Sequence, residues 1–373
     1  MKRSDRIHCP LTCPLILGLL IFILNGNAFS QAEIKKSLPV SAGYNPKFII
    51  KDAPAPLFRD PVFDGAADPT VIWDSRQQAW LIFYTARRAR LDLNGVAYCY
   101  GTAIGMAASY DYGKTWSYKG TAHLPQPDTG LNSFWAPQVF QNPKDKVYHM
   151  LVSYIKGLYE DWGGERQIFH YTSTDLKEWK VLPSTGLVGC IDASAYPLPD
   201  GSWKMWYKNE AKGSYTYAAK STDLIHWKVL DSVEITNRHH EAPIVFYWKK
   251  AYWMVTDPTY EEYTGLDVFR STDATHWVFN NTILNHPGAR PDDIDQGRHP
   301  DVKVVDGKAY IFYFTHPGRV YPGLGKEDPD ANRYRYRRSS LQVAELELID
   351  GKITCDRNKY ALLKGNRAFS IPQ

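Results

Sequence analysis

Ser271-Thr272-Asp273-Ala274-Thr275-His276-Trp277 is one copy of a pattern that the chain repeats. The same order of Ser, Asp and Trp stands at Ser221-Thr222-Asp223-Leu224-Ile225-His226-Trp227 and at Ser173-Thr174-Asp175-Leu176-Lys177-Glu178-Trp179. It stands again, one residue longer, at Ser109-Tyr110-Asp111-Tyr112-Gly113-Lys114-Thr115-Trp116. The Trp residues fall at 116, 179, 227 and 277, a period near fifty residues. Units of that length holding several short strands are the mark of a β-propeller. The Asp caps a tight turn through its own backbone, and the Trp packs between neighbouring blades. Alternating strands lead into the turns, as in Tyr215-Thr216-Tyr217-Ala218-Ala219 and Leu266-Asp267-Val268-Phe269-Arg270.

An aromatic strand precedes each of these units. It reads Trp80-Leu81-Ile82-Phe83-Tyr84, then Tyr148 to Tyr154, Trp203 to Tyr207 and Tyr252 to Val255. Ala309 to Phe314 makes a fifth. Five such strands against four turns predict an all-β, five-bladed β-propeller. In the last blade Leu341 to Leu346 takes the place of the turn-bearing strand. Phe48-Ile49-Ile50 is expected as a strand that closes the ring against it. The basic, Tyr-rich run Arg333 to Arg338 reads as a solvated edge or loop.

The chain has 373 residues, long for one domain but within reach of a closed all-β fold. An apolar fraction of 44% supports a real core, and a net charge of +4 gives no reason to expect a nucleic-acid partner. The 12 Trp and 25 Tyr serve blade packing, and flat apolar rings also match the faces of sugars. Lys2, Arg3 and Arg6 precede an apolar run, Leu11 to Leu24, too short to cross a bilayer comfortably. Ala28-Phe29-Ser30 follows as a small-x-small cleavage site. Residues 1–30 are therefore expected as a signal peptide, 31–60 as an N-terminal segment and 61–373 as the catalytic propeller. The expected location is periplasmic or secreted, with no membrane contact after signal removal. Cys99, Cys190 and Cys355 would remain, an odd number that allows one bridge or none.

Three carboxylates stand where a loop enters a strand. They are Asp68 in Ala67-Asp68-Pro69-Thr70-Val71, Asp192 in Ile191-Asp192-Ala193, and Glu241 in His240-Glu241-Ala242-Pro243. They fall in the first, third and fourth predicted blades. Side chains this far apart in sequence meet only if inner strands gather them on the propeller axis, as an acid/base site requires. Glu210 is a further possible acid, ranked lower because it follows its strand instead of leading into one. Trp135 and Trp206 are candidate walls of a sugar pocket, with core packing as the competing reading.

Together with Phe83-Tyr84-Thr85-Ala86-Arg87-Arg88, Phe134-Trp135-Ala136-Pro137-Gln138-Val139 and Gly297-Arg298-His299-Pro300-Asp301-Val302, these segments resemble the five-bladed propeller glycosidases. The resemblance is to glycoside hydrolase family 43 and, more closely, family 117, over roughly residues 61 to 319. It implies an exo-acting, inverting glycosidase removing a terminal sugar from an oligosaccharide. The sugar would be like 3,6-anhydro-L-galactose or L-arabinofuranose. Asp68 would be the general base, Asp192 the residue that tunes the acid and orients substrate, and Glu241 the general acid. His240 is the rival acid. Arg87 and Arg88 would balance charge or bind substrate, one of the pair being a surface residue. His299 would hold a hydrated structural divalent ion (Ca²⁺ or Mg²⁺) on the axis, or be a packed, hydrogen-bonded His; no cofactor is required. Gln138 stands where many relatives carry an acid. Residues 32–60 have two early prolines and no helical periodicity, unlike the helical extension of a family-117 dimer, so the oligomer is left at monomer or homodimer. A sucrose- or fructan-type hydrolase would want an Asn-Asp-Pro nucleophile and a Glu-Cys acid, and neither is present. A non-catalytic carbohydrate-binding propeller is the rival from another class.

Overall fold

The computed structural model describes residues 46–235, 237–259, 264–319 and 333–360, all within one compact unit, Tyr44–Gln373. The expected signal peptide lies outside the described residues. Five four-stranded antiparallel sheets follow one another along the chain. Blade 1 holds β1 (Ala66–Asp74), β2 (Ala79–Ala86), β3 (Ile104–Ser109) and β4 (Ser117–Thr121). Blade 2 holds β5 (Ser133–Gln141), β6 (Tyr148–Ile155), β7 (Arg166–Ser173) and β8 (Lys180–Val181). Blade 3 holds β9 (Cys190–Pro197), β10 (Trp203–Asn209), β11 (Tyr215–Ser221) and β12 (Lys228–Ile235). Blade 4 holds β13 (His240–Trp248), β14 (Ala251–Pro258), β15 (Leu266–Ser271) and β16 (Val278–Ile283). Blade 5 holds β17 (Arg298–Val305), β18 (Lys308–Thr315), β19 (Ser340–Ile349) and β20 (Lys352–Thr354). The first strands β1, β5, β9, β13 and β17 pack side by side in a closed ring.

The repeated turns do what their chemistry dictates. Asp223 Oδ1 accepts from the backbone N–H of Ile225 and His226, and Asp273 Oδ1 from Thr275 and His276, both pairs at 2.8–2.9 Å. The turn Trp then reaches back to the preceding blade. Trp179 meets Phe83 edge-on at 6.0 Å, and Trp277 meets Trp206 at 6.1 Å. Burying such rings contributes roughly 2–3 kcal/mol each, so one device joins blade 2 to blade 1 and blade 4 to blade 3.

Ring closure differs from the expectation. Phe48-Ile49-Ile50 is not a strand; it leads into a 3₁₀ turn at Ile50–Asp52. It still sits between the first and last blades, because the Phe48 ring packs against Trp80 of β2 and against Tyr310 and Phe312 of β18. The backbone pairing with the last blade comes instead at Leu57 and Phe58, where Leu57 N–H donates to the Leu341 carbonyl at 2.8 Å and Leu341 N–H to the Phe58 carbonyl at 2.9 Å. The Arg333–Arg338 run is solvated only in its first half, where Arg333, Tyr334 and Arg335 are exposed. Arg337 is 1% exposed and donates to the carbonyls of Leu91 and Leu93, and Arg338 pairs with Asp292. Cys99, Cys190 and Cys355 are free thiols.

Candidate active site

Each first strand carries a bulge at the same place. The two residues left out of the ladder are Asp68-Pro69, Ala136-Pro137, Asp192-Ala193, Ala242-Pro243 and His299-Pro300. A bulge leaves residues without ladder partners, so a Pro, which has no N–H to donate, is tolerated there. The first residue of each pair has positive φ: Asp68 51°, Ala136 50°, Asp192 58°, Ala242 51° and His299 43°. None is Gly, and such backbone is costly for a side-chain-bearing residue. What holds it is visible in three blades. Thr85 Oγ1 accepts the Ala136 N–H at 2.9 Å, Ser153 Oγ the Asp192 N–H at 3.0 Å, and Asp257 Oδ2 the His299 N–H at 3.1 Å. Each acceptor lies on the second strand of the blade before.

These bulges turn Asp68, Asp192 and His299 toward the axis. Glu241 is displaced by one residue. It precedes its bulge and shares its register with Trp135 and Arg298. All of them line one cavity of about 320 Å³, together with Arg87, Cys99, Trp162, Arg166, Ile191, Lys208, Glu210, Pro258 and Thr259.

The carboxylates sit in unlike surroundings. Arg87 Nη2 contacts both oxygens of Asp68, at 2.9 and 3.2 Å. Burial pushes Asp68 upward, but Arg87, with His299 and Thr85, outweighs it and holds the group below the usual carboxylate range. Asp192 has no such partner. Burial, then the charges of Glu241 and Asp68, push it well above the usual range, with only Lys208 opposing. His299 Nδ1 lies 3.5 Å from Asp68 Oδ1 and 4.0 Å from Asp192 Oδ2. Those two oxygens are therefore no further apart than 3.5 Å plus 4.0 Å. Burial lowers His299 below its ordinary value, against the pull of Asp68 and Glu241. Glu241 Oε2 lies 3.1 Å from Lys208 Nζ.

Several candidates do not reach the cavity. His240 is fully buried; its Nε2 meets Asp267 Oδ2 at 2.9 Å and its ring packs edge-on against Phe269. It lies on β13 one residue before Glu241, and side chains alternate along a strand, so it faces the other way. Arg88 Nη2 caps the carbonyl of Ala97, pinning a loop, while Arg87 alone points inward. Trp206 lies on the second strand, not the first, and is buried between blades with its indole N–H on Glu234. Trp135 does line the cavity, its indole N–H held by the Cys99 carbonyl at 2.6 Å. Among the described residues no three His, Cys, Asp or Glu side chains are arranged to hold a metal.

Glu210 belongs to the site, contrary to the lower rank its position earned. In an antiparallel pair the exit of the second strand lies beside the entry of the first: Asn209 pairs with Cys190 and Lys208 with Ile191. Following a strand therefore brings a residue to the same end of the blade as leading into one. The same rule would have drawn Lys208 and Asp257 from the sequence. Arg166, Trp162 and Arg298 gave no comparable signal; Trp162 comes from the β6–β7 connection and Arg166 opens β7. Arg166 Nε lies 3.0 Å from Glu210 Oε2 and its guanidinium stands over the Trp135 ring at 5.9 Å.

The fold has solved counterparts. The chain is similar to a thermostable family-43 glycoside hydrolase, with a TM-score of 0.56 and 17% identity, covering 80% of this chain and 96% of that one. It is similar to a family-43 β-xylosidase/α-arabinofuranosidase from a compost microbial metagenome, solved with xylotriose in a calcium-free form. There the TM-score is 0.57 and the identity 13%, over 80% and 96% of the two chains. A family-32 β-fructofuranosidase of Bombyx mori gives 0.56 and 13%, over 82% and 67%. No family model and no curated protein matches the chain. At these identities the likeness establishes the five-bladed propeller.

Proposed function

We propose that this propeller is an exported, exo-acting glycoside hydrolase that removes a terminal sugar from a polysaccharide-derived oligosaccharide with inversion. The observation that carries the reading is one cavity shared by Asp68, Asp192 and Glu241, in which Arg87 holds Asp68 below the usual carboxylate range and burial pushes Asp192 above it. Two carboxyl groups in opposite protonation states are what glycoside hydrolysis needs. Asp68, held ionised by Arg87, takes a proton from water. The water oxygen bonds to the anomeric carbon as the glycosidic C–O bond breaks, and Glu241 delivers a proton to the departing oxygen. Asp192 keeps its own proton and donates a hydrogen bond to the sugar. The donor stands on blade 4 and the base on blade 1, with blade 5 between them. A volume of about 320 Å³ is at the small end of ligand sites, suited to one deep sugar subsite. Arg87 and Trp135 are the substrate-binding choices. The xylosidase and arabinofuranosidase neighbours favour an arabinofuranose-like sugar beside the 3,6-anhydro-L-galactose reading. The reaction needs no cofactor, and monomer or homodimer serves it equally.

The test is a screen against agar, carrageenan and arabinoxylan oligosaccharides, with NMR of the first anomer released. Asp68→Asn and Glu241→Gln should each lower kcat on the cleaved substrate by about 10²–10⁴. Full activity in both variants sinks the assignment. Saccharide binding without turnover, abolished by Trp135→Ala but not by the carboxylate variants, identifies a non-catalytic carbohydrate-binding propeller instead.

A further inference from the structure

One position on the second strands recurs around the ring, opposite the residue before each bulge. It is occupied by Thr85, Ser153, Lys208, Asp257 and Phe314. In blades 1, 2 and 4 its side chain accepts the N–H of the next blade's bulge. An ammonium has no lone pair to accept with, so Lys208 cannot do that work. It is 4% exposed and its amine reaches two carboxylates at once: Glu241 Oε2 at 3.1 Å and Glu210 Oε1 at 3.4 Å. Arg166 holds the other oxygen of Glu210 at 3.0 Å, so Glu210 is fixed as a second, competing anion.

We infer that Lys208 and Glu210 form a charge-sharing pair that sets when Glu241 carries its proton. The inference rests on the assignment of Glu241 as the acid. Lys208 next to Glu241 favours the carboxylate, which is the wrong form for donation. Glu210 draws part of that positive charge away, and its own negative charge opposes ionisation of Glu241. Both effects of Glu210 keep the proton available to the leaving oxygen. Other ionisable groups around Glu241 are Asp192 on β9, Asp257 on β14, Asp68 on β1, and Arg298 and His299 on β17. Lys208 itself stays charged, because Glu241, Glu210 and Asp192 outweigh its burial. Glu210 and Lys208 are positioning residues in this scheme.

The test is the pH dependence of kcat/KM on the oligosaccharide that the wild type cleaves in the screen above, since its basic limb reports the acid of the free enzyme. Glu210→Gln leaves Lys208 to Glu241 alone, so the limb moves down by about one pH unit. Lys208→Met keeps the buried stem and removes the charge, so the limb moves up by a similar amount. Lys208→Arg restores the limb. A 4-nitrophenyl glycoside of the same sugar should show smaller shifts, because its leaving group departs without protonation. A merely structural role changes melting temperature and leaves the limbs coincident, and coincident limbs in Glu210→Gln overturn the inference. Glu210→Gln is the decisive variant if Lys208→Met fails to fold, because Glu210 is partly exposed. Should the wild type cleave nothing in the screen, it is the proposed activity that fails.

Discussion

Replacing Asp257 with Asn tests what a buried ionisable carboxyl beside the site does to stability. Asp257 is 4% exposed, accepts the His299 N–H at 3.1 Å, and pairs across the ladder with Glu241. Burial first, then Glu241 and Asp68, push its carboxyl up to about 8, against the pull of Arg298. An unfolded Asp titrates near ~3.9. Between those values the folded chain binds more protons than the unfolded one. Stability from this group is therefore fully present below about pH 4 and is lost as pH rises through 8. Four units correspond to a ceiling of about 5 kcal/mol. Asp257, Glu241 and Asp68 share one mutual repulsion, so the part removable at Asp257 alone is on the order of 2–4 kcal/mol. Asn keeps an oxygen acceptor for the His299 N–H and never ionises. The stability of Asp257→Asn minus wild type, measured by urea titration at pH 4, 6, 8 and 9, should be near zero or slightly negative at pH 4. It should rise by those 2–4 kcal/mol by pH 9. A difference that stays flat with pH, or that grows more negative, refutes the reasoning.

Two further outcomes follow from where the side chains point. His240→Gln should melt lower, by about 1–3 kcal/mol, because Asp267 loses a buried partner; kcat should stay within an order of magnitude with the basic limb in place. A collapse of kcat with that limb abolished would mean that His240 is the acid after all. Trp206→Phe should lower the melting temperature and leave KM alone, whereas Trp135→Ala should raise KM on the cleaved oligosaccharide by about tenfold; exchanged effects in a paired thermal-shift and kinetic measurement would contradict the placement.

The features legible in the sequence are those whose cause is local. Ser-x-Asp turns form by hydrogen bonds within a few residues, so their recurrence at 109, 173, 221 and 271 exposes the blades before any contact is known. The X-Pro pairs at 68, 136, 242 and 299 likewise mark where first strands break their ladders. Because a ring of like blades brings like positions together, finding Asp68 and Asp192 at one blade position is enough to bring them to one axis. Tertiary structure alone decided which of two neighbours faces that axis. His240 and Glu241 are adjacent, as are Arg87 and Arg88, and only one of each pair lines the cavity. For His240 and Glu241 that choice turns on register: a shift of one residue sends a side chain to the opposite face of a strand. In blades 2, 3 and 5 the bulge that sets the register is held from the neighbouring blade, through Thr85, Ser153 and Asp257. Such partners lie some forty to fifty residues away along the chain, beyond the reach of any local pattern.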